Sequence, residues 1–328
     1  MILIIDEEVS EKTSRKIMIK TGSRLHFGVI NPFNKNMRLY VSAGVYVDKP
    51  SNFVVISESS EKLVVRGCRS EEVLEKIRAL EESLGERLYG EIEIRECVPR
   101  HVGLGSTTQL LLAVARGLIE LNNVRKDLLE IAWRLGLGRI SGVGTHLFIH
   151  GGFVIDAGKK DPYETKIPGL MFRTDFPDEW IFIIVMPRGE GLDETAENKV
   201  FSSEYKVDEK LVWRASHLLF TEMTPSLLER DFIRFSEALY ELQKTVGEMF
   251  SVFQGGIYTR YSSEAVEILR REGVIGVGQS SWGPTIYGLI ESYDKAVKIM
   301  RRIEDKIDAK ILLAKPLNRG AEMTPPRP

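Results

Sequence analysis

The sequence predicts a protein of mixed strands and helices in two domains, organised around an anion-binding cleft. Three observations carry that expectation. Alternating apolar runs and helical spacings are interleaved along the chain. A stretch over 161–177, with three prolines and little periodicity, reads as a link, placing one domain over 1–170 and another over 171–328. Three loops rich in glycine and hydroxyl side chains, at 99–109, 138–146 and 276–285, each adjoin a strand or a helix. With 328 residues, the chain is long enough to bury a substantial core.

In chain order, 2–5 reads as a short strand, followed by a charged link and a strand over 17–20. Arg24 and His26 come next. They are two apart, so an extended backbone projects both to one face. A cation beside an imidazole suits an anionic or polar ligand, or else is a surface arginine with a core histidine. Asn and Pro residues over 31–38 make a turn, and 39–47 pairs with 52–57 across Asp48, Lys49 and Pro50. Val73, Leu74, Ile77, Leu80 and Leu84 have helical spacing over 71–84.

The strand over 88–96 feeds the central loop, Pro-Arg-His-Val-Gly-Leu-Gly-Ser-Thr-Thr-Gln at 99–109, and a buried helix over 110–121 follows. A helix N-terminus offers unpaired N–H groups and the positive end of its dipole. Gly103 and Gly105 let the backbone approach a phosphate, and Ser106, Thr107 and Thr108 add donors. The alternative is an ordinary N-cap; Arg100 and His101 weigh toward anion binding.

A second helix spans 125–135, and Asp156 ends a strand as an acid, a metal contact or a turn former. Beyond the link come an apolar strand over 180–186, a loop from Arg188, and helices over 208–219, 227–250 and 263–272. The loop at 276–285 leads into a strand over 286–290, where Trp282 is either a stacking platform or core. A helix over 294–307, a strand over 311–314 and a loose proline-containing tail over 323–328 complete the chain.

The net charge of -2 gives no basic field for nucleic acid. No apolar run is long enough to cross a membrane. Cys68 and Cys97 have no CxxC spacing, which argues against a disulfide framework and fits a reducing, cytoplasmic setting. The N-terminus lacks a signal-peptide pattern.

The string Pro99-x-x-x-Gly103-Leu104-Gly105-Ser106 resembles the second motif of the GHMP kinase superfamily, and the loop at 276–284 stands where its third motif stands. Five segments are more specific: Ser23 to Gly28, His101 to Gln109, Arg139 to Thr145, His150 to Phe153, and Gly278 to Pro284. Together they resemble the β-ribofuranosylaminobenzene 5'-phosphate synthase family within that superfamily, over about 21–290. The resemblance implies an α+β fold: an N-terminal domain like ribosomal protein S5 domain 2 and a ferredoxin-like C-terminal domain.

It implies a decarboxylating pentosyltransferase, joining phosphoribosyl diphosphate to 4-aminobenzoate or 4-hydroxybenzoate in methanopterin biosynthesis. Arg24 and His26 would be catalytic. His101, Gly103, Leu104, Gly105, Ser106, Thr107, Thr108 and Gln109 would bind diphosphate. Ser23, Arg139, Ser141, Gly142, Thr145, Gln279, Ser280, Ser281 and Trp282 would bind ribose phosphate or benzoate. Mg2+ and no organic cofactor, small-molecule substrates only, and a homodimer are further expectations; no metal ligand is readable.

An ATP-dependent kinase on the same fold is the alternative, and a non-catalytic relative the third reading. Many such kinases carry an aspartate base a short way after a Ser-Gly pair. Ser141-Gly142-Val143-Gly144 has glycine there, and a carbon nucleophile has no hydroxyl proton to lose.

Overall fold

A computed structural model describes residues 15–59, 61–189, 191 and 194–324; the strand expected over 2–5 lies outside them. The first part of the chain runs β1 (Lys16–Val29), β2 (Ser42–Ser57), β3 (Leu63–Gly67), α1 (Ser70–Leu84), β4 (Gly90–Glu96), α2 (Ser106–Leu121), α3 (Leu128–Arg134), α4 (Val143–His150), β5 (Phe153–Asp156) and β6 (Leu170–Thr174). The second runs β7 (Ile181–Pro187), α5 (Glu194–Phe201), α6 (Glu209–His217), a π-helical turn over Leu218–Met223, α7 (Thr224–Glu229), α8 (Phe232–Gln254), α9 (Arg260–Arg271), β8 (Gly276–Gln279), β9 (Ile286–Ile290), α10 (Tyr293–Ile303), β10 (Ala309–Ala314) and β11 (Glu322–Thr324).

Two sheets result, and the fold is α+β. The first has the order β11-β1-β2-β4-β3, with β5 on β2 and β6 on β5. The second is antiparallel in the order β10-β7-β9-β8, the ferredoxin-like arrangement. Period-two alternation builds the first sheet: Ile92 and Ile94 of β4 are buried while Glu91 and Glu93 are not. Val73, Ile77 and Leu80 of α1, with the apolar face of α2, close a core over Ile17, Ile19, Val54 and Ile56.

Several expectations are corrected. The strands read over 39–47 and 52–57 are one continuous strand, β2, because β1 pairs with both halves of it. The 276–285 loop begins as a strand, β8, because Val277 and its neighbours pair with β9. The helix read over 227–250 is broken at Arg230, whose left-handed backbone ends α7 before Asp231 caps α8. The 161–177 stretch contains β6, and in the 323–328 tail Met323 and Thr324 pair with β1. Cys68 and Cys97 form a disulfide: parallel pairing of β3 and β4 sets their Cα atoms 6.4 Å apart, a juxtaposition that residue spacing does not reveal.

Candidate active site

The strand that begins the site is β1. It is bulged between Thr21 and Ser23 and again between His26 and Gly28, so the segment carrying Arg24 and His26 is re-aimed toward a cleft of about 610 Å³ that both residues line. Its other walls are the 101–108 loop, the 136–141 loop, α5, α8 and the 279–283 loop.

The 101–108 loop ends at Gly105, whose left-handed backbone starts α2 with no capping side chain. The first N–H groups of α2 therefore face the cleft rim without an intrahelical partner. Ser106, Thr107 and Thr108 line the cleft there. Thr107 Oγ1 accepts from Arg69 Nη2 at 2.6 Å, and Arg69 also makes a two-pronged pair with Glu72. Arg100 adds a second cation to Glu72, at 3.4 Å.

Ser280 locks this loop to β1 and to the second sheet. Its Oγ donates to the Gly103 carbonyl at 2.6 Å and accepts from the His26 backbone N–H at 3.0 Å. A Cβ on Gly103 would lie 2.2 Å from the Ser280 carbonyl oxygen, so only glycine permits the approach. Arg24 is held from the same side: its backbone N–H donates to Leu104 O at 3.0 Å and its Nη1 to Gly103 O at 3.3 Å. Its Nε is buried and has no partner among the described residues. Burial pulls this guanidinium down to about 10, and the carboxylate of Glu197 opposes that shift. A buried N–H with no partner is costly unless a ligand takes it.

His26 Nδ1 accepts from the Gly28 N–H at 3.1 Å, which leaves the proton on Nε2, 3.1 Å from Ser141 Oγ. Burial, with Arg24 adding to it, holds His26 well below the usual imidazole range. It is neutral at physiological pH, so it offers a hydrogen bond rather than the proton of an imidazolium. Ser141 Oγ in turn donates to Asp156 Oδ2 at 3.1 Å.

Not every expected residue reaches the cleft. Ser23 Oγ donates to Pro50 O at 2.7 Å, and Leu104 is core. Gln109 is buried, accepting from Tyr46 Oη at 3.0 Å and donating to Gly144 O at 2.8 Å. Gly142 gives its N–H to Asp156, Thr145 is enclosed, and Ser280 lies beneath the wall. Gln279 lines the cleft, but its side chain ties Thr259, Gln254 and Ser281 together. Arg139 is exposed at the rim, and Ser281 lines it.

Trp282 packs edge-on against Phe250, centroids 4.9 Å apart, and its Nε1 donates to Glu197 at 2.9 Å. Glu197 has no pattern in the sequence to announce it; its meaning comes from Trp282 and Arg24. The Arg69–Glu72 pair is likewise a neighbour of the cleft that the sequence reading missed, whereas Asp156, readable as an acid, a metal contact or a turn former, proves to be a buried acceptor of four hydrogen bonds.

Among the described residues no three His, Cys, Asp or Glu side chains converge as a metal cage. Ser106 and Thr108 line the cleft at the start of α2, and Glu75 of α1 lines it as well.

A glycine loop at the N-terminus of α2, preceded by β4 and facing a ferredoxin-like sheet, is the architecture that sets the class. Family models for the GHMP kinase N-terminal domain and the GHMP kinase C-terminal region match residues 71–152 and 223–309, and the chain belongs to the GHMP kinases. Within that class the chain is similar to two proteins named beta-ribofuranosylphenol 5'-phosphate synthase. The one from Methanothermobacter thermautotrophicus is 28% identical over 94% of this chain and 98% of its own length. The one from Archaeoglobus fulgidus is 27% identical over 94% and 99%. Homoserine kinase from Cytophaga hutchinsonii shares the fold at a TM-score of 0.64 and 19% identity, covering 98% of this chain and 100% of its own. Mevalonate diphosphate decarboxylase from Enterococcus faecalis does so at 0.66 and 13%, covering 95% and 100%.

Proposed function

We propose that the protein is a decarboxylating pentosyltransferase that joins phosphoribosyl diphosphate to a para-substituted benzoate and releases diphosphate and CO2. The similarity to named ribofuranosylphenol phosphate synthases over nearly the whole chain supports the reaction class, and their name favours 4-hydroxybenzoate over 4-aminobenzoate as acceptor. The observation that carries the chemistry is the unpartnered Nε of Arg24 beside the open N-terminus of α2, two anion-seeking features sharing one cleft wall.

Departure of diphosphate places negative charge where the α2 N–H groups and the Ser106 hydroxyl point, and preorganised donors there lower the barrier. Arg24 takes an anionic group of the substrates, the benzoate carboxylate being the one that fits a guanidinium fork. The ring carbon bearing that carboxylate attacks C1 of the ribose, and the electrons of the C–CO2 bond return to the ring as CO2 leaves. Bound with its substrate, Mg2+ would sit by Ser106 and offset diphosphate charge. The product's C-riboside suits the construction of a methanopterin-type cofactor.

The kinase reading is favoured by the fold alone. Two assays separate them. CO2 and diphosphate released from phosphoribosyl diphosphate plus 4-hydroxybenzoate are the expected result. ADP formed from ATP over a panel of small alcohols, without CO2, would overturn it.

A further inference from the structure

We propose that Asp156, reached through Ser141, stores the proton that the para hydroxyl of the acceptor sheds during ring attack. This rests on the transferase reading above. Asp156 is fully buried at the end of β5, yet only one hydroxyl separates it from the cleft. Its Oδ1 accepts from the Ser42 N–H at 3.1 Å and the Gly158 N–H at 3.0 Å; its Oδ2 accepts from the Gly142 N–H at 2.7 Å and from Ser141 Oγ at 3.1 Å. Three backbone contacts fix the carboxyl in place, and the fourth is the one bond that can carry a proton away from the cleft.

Ser141 Oγ is itself oriented for this. It receives Nε2–H of His26 at 3.1 Å and the Val143 N–H at a longer 3.2 Å. An acceptor hydroxyl replaces the Val143 contact. Its proton passes to Ser141 Oγ as the Ser141 proton passes to Asp156 Oδ2, leaving a carboxylic acid and a phenoxide. The phenoxide drives its electron pair through the para ring carbon to C1 of the ribose, and the bond to diphosphate breaks with its electrons. CO2 then departs, the ring regains aromaticity, and the proton returns from Asp156 through Ser141 to the oxygen. No proton is gained or lost overall.

Burial pushes the Asp156 carboxyl up to about 7, against the four hydrogen bonds that oppose it, which suits a proton store at neutral pH. The ionisable groups facing this corner come from several elements. Lys159 follows β5, is tied to the Glu164 carbonyl, and feels both Asp156 and Arg139. Arg38 donates to the Ala157 and Gly158 carbonyls. His146 of α4 turns to the Pro168 carbonyl, and His26 of β1 arrives through Ser141. None of them donates directly to the carboxylate, so its titration is set by burial.

The test compares the wild-type protein with Asp156→Asn and Ser141→Ala, following diphosphate release with 4-hydroxybenzoate and with 4-aminobenzoate from about pH 5.5 to about pH 9, on either side of the Asp156 titration. Wild-type kcat/KM with the hydroxy acceptor should rise through about pH 7 as the carboxyl ionises. Both variants should lose about 10²-fold in kcat and lose that limb, keep the KM for phosphoribosyl diphosphate, and be much less impaired with the amino acceptor. Should Asp156→Asn fail to fold, Ser141→Ala, which keeps the three backbone contacts of Asp156, decides alone. Variants that fold and retain the rate and the limb overturn the relay while the transferase stands. So does a wild-type enzyme active only on the amino acceptor. A wild-type enzyme inactive on both overturns the transferase reading itself.

Discussion

Arg24 illustrates how a residue is read twice. Two-residue spacing brought it to one face with His26, but only the structure shows that its Nε is sealed from solvent without a partner. That is a standing cost, relieved when an anion enters. Arg24→Ala should therefore lower kcat/KM for the benzoate about 10–100-fold, the worth of a charge-assisted hydrogen bond. Steady-state kinetics with each substrate varied checks this, and unchanged constants remove Arg24 from the site. His26 shows the opposite case. As a sequence feature it was either part of a ligand site or a core histidine. Its Nδ1 is spent on Gly28, its Nε2 faces Ser141, and burial keeps it neutral, so the hydrogen bond is the role the geometry supports.

At the level of elements, the parts with strong local periodicity were legible. The apolar spacing of 71–84 gave α1 nearly to the residue, and the alternation before Pro99 gave β4. What escaped were segments defined by distant partners. β3 is half-exposed and exists through its parallel pairing with β4; β8 has a single β-branched residue and exists through β9. β11 is three residues long and belongs to a sheet begun some three hundred residues earlier. The glycine loop was legible as the entry to a helix N-terminus, which the structure places at the cleft, but not the reason for each glycine. Gly103 has a φ of +78° and a carbonyl where its Cβ would go. Gly103→Ala should cost about 1–3 kcal/mol from backbone strain alone, with further loss from the clash. Chemical denaturation measures the first effect, and loss of diphosphate binding by calorimetry measures the displacement of the loop. A variant as stable as wild type would show that the loop has slack.

For the whole molecule, the decisive contact is small. Ser280 belongs to the second sheet's loop and its hydroxyl joins β1 to the anion loop. The Gly278 to Pro284 string was conspicuous in the sequence as a candidate ligand-binding element. Its Gln279 and Ser280 side chains instead hold the walls of the cleft together. Ser280→Ala would leave the His26 N–H and reduce the pairing of the Gly103 carbonyl, at about 1–3 kcal/mol for each buried group orphaned. In hydrogen exchange of the wild type, the His26 amide should be among the slow ones, and in Ser280→Ala it should quicken together with the amides around Gly103. Fast exchange in the wild type would mean that the seam opens on its own. If the seam holds, the cleft is a mould rather than a jaw. Substrates would then enter past Arg100, Arg139 and Trp282, which line the cleft, with no hinge closing over them.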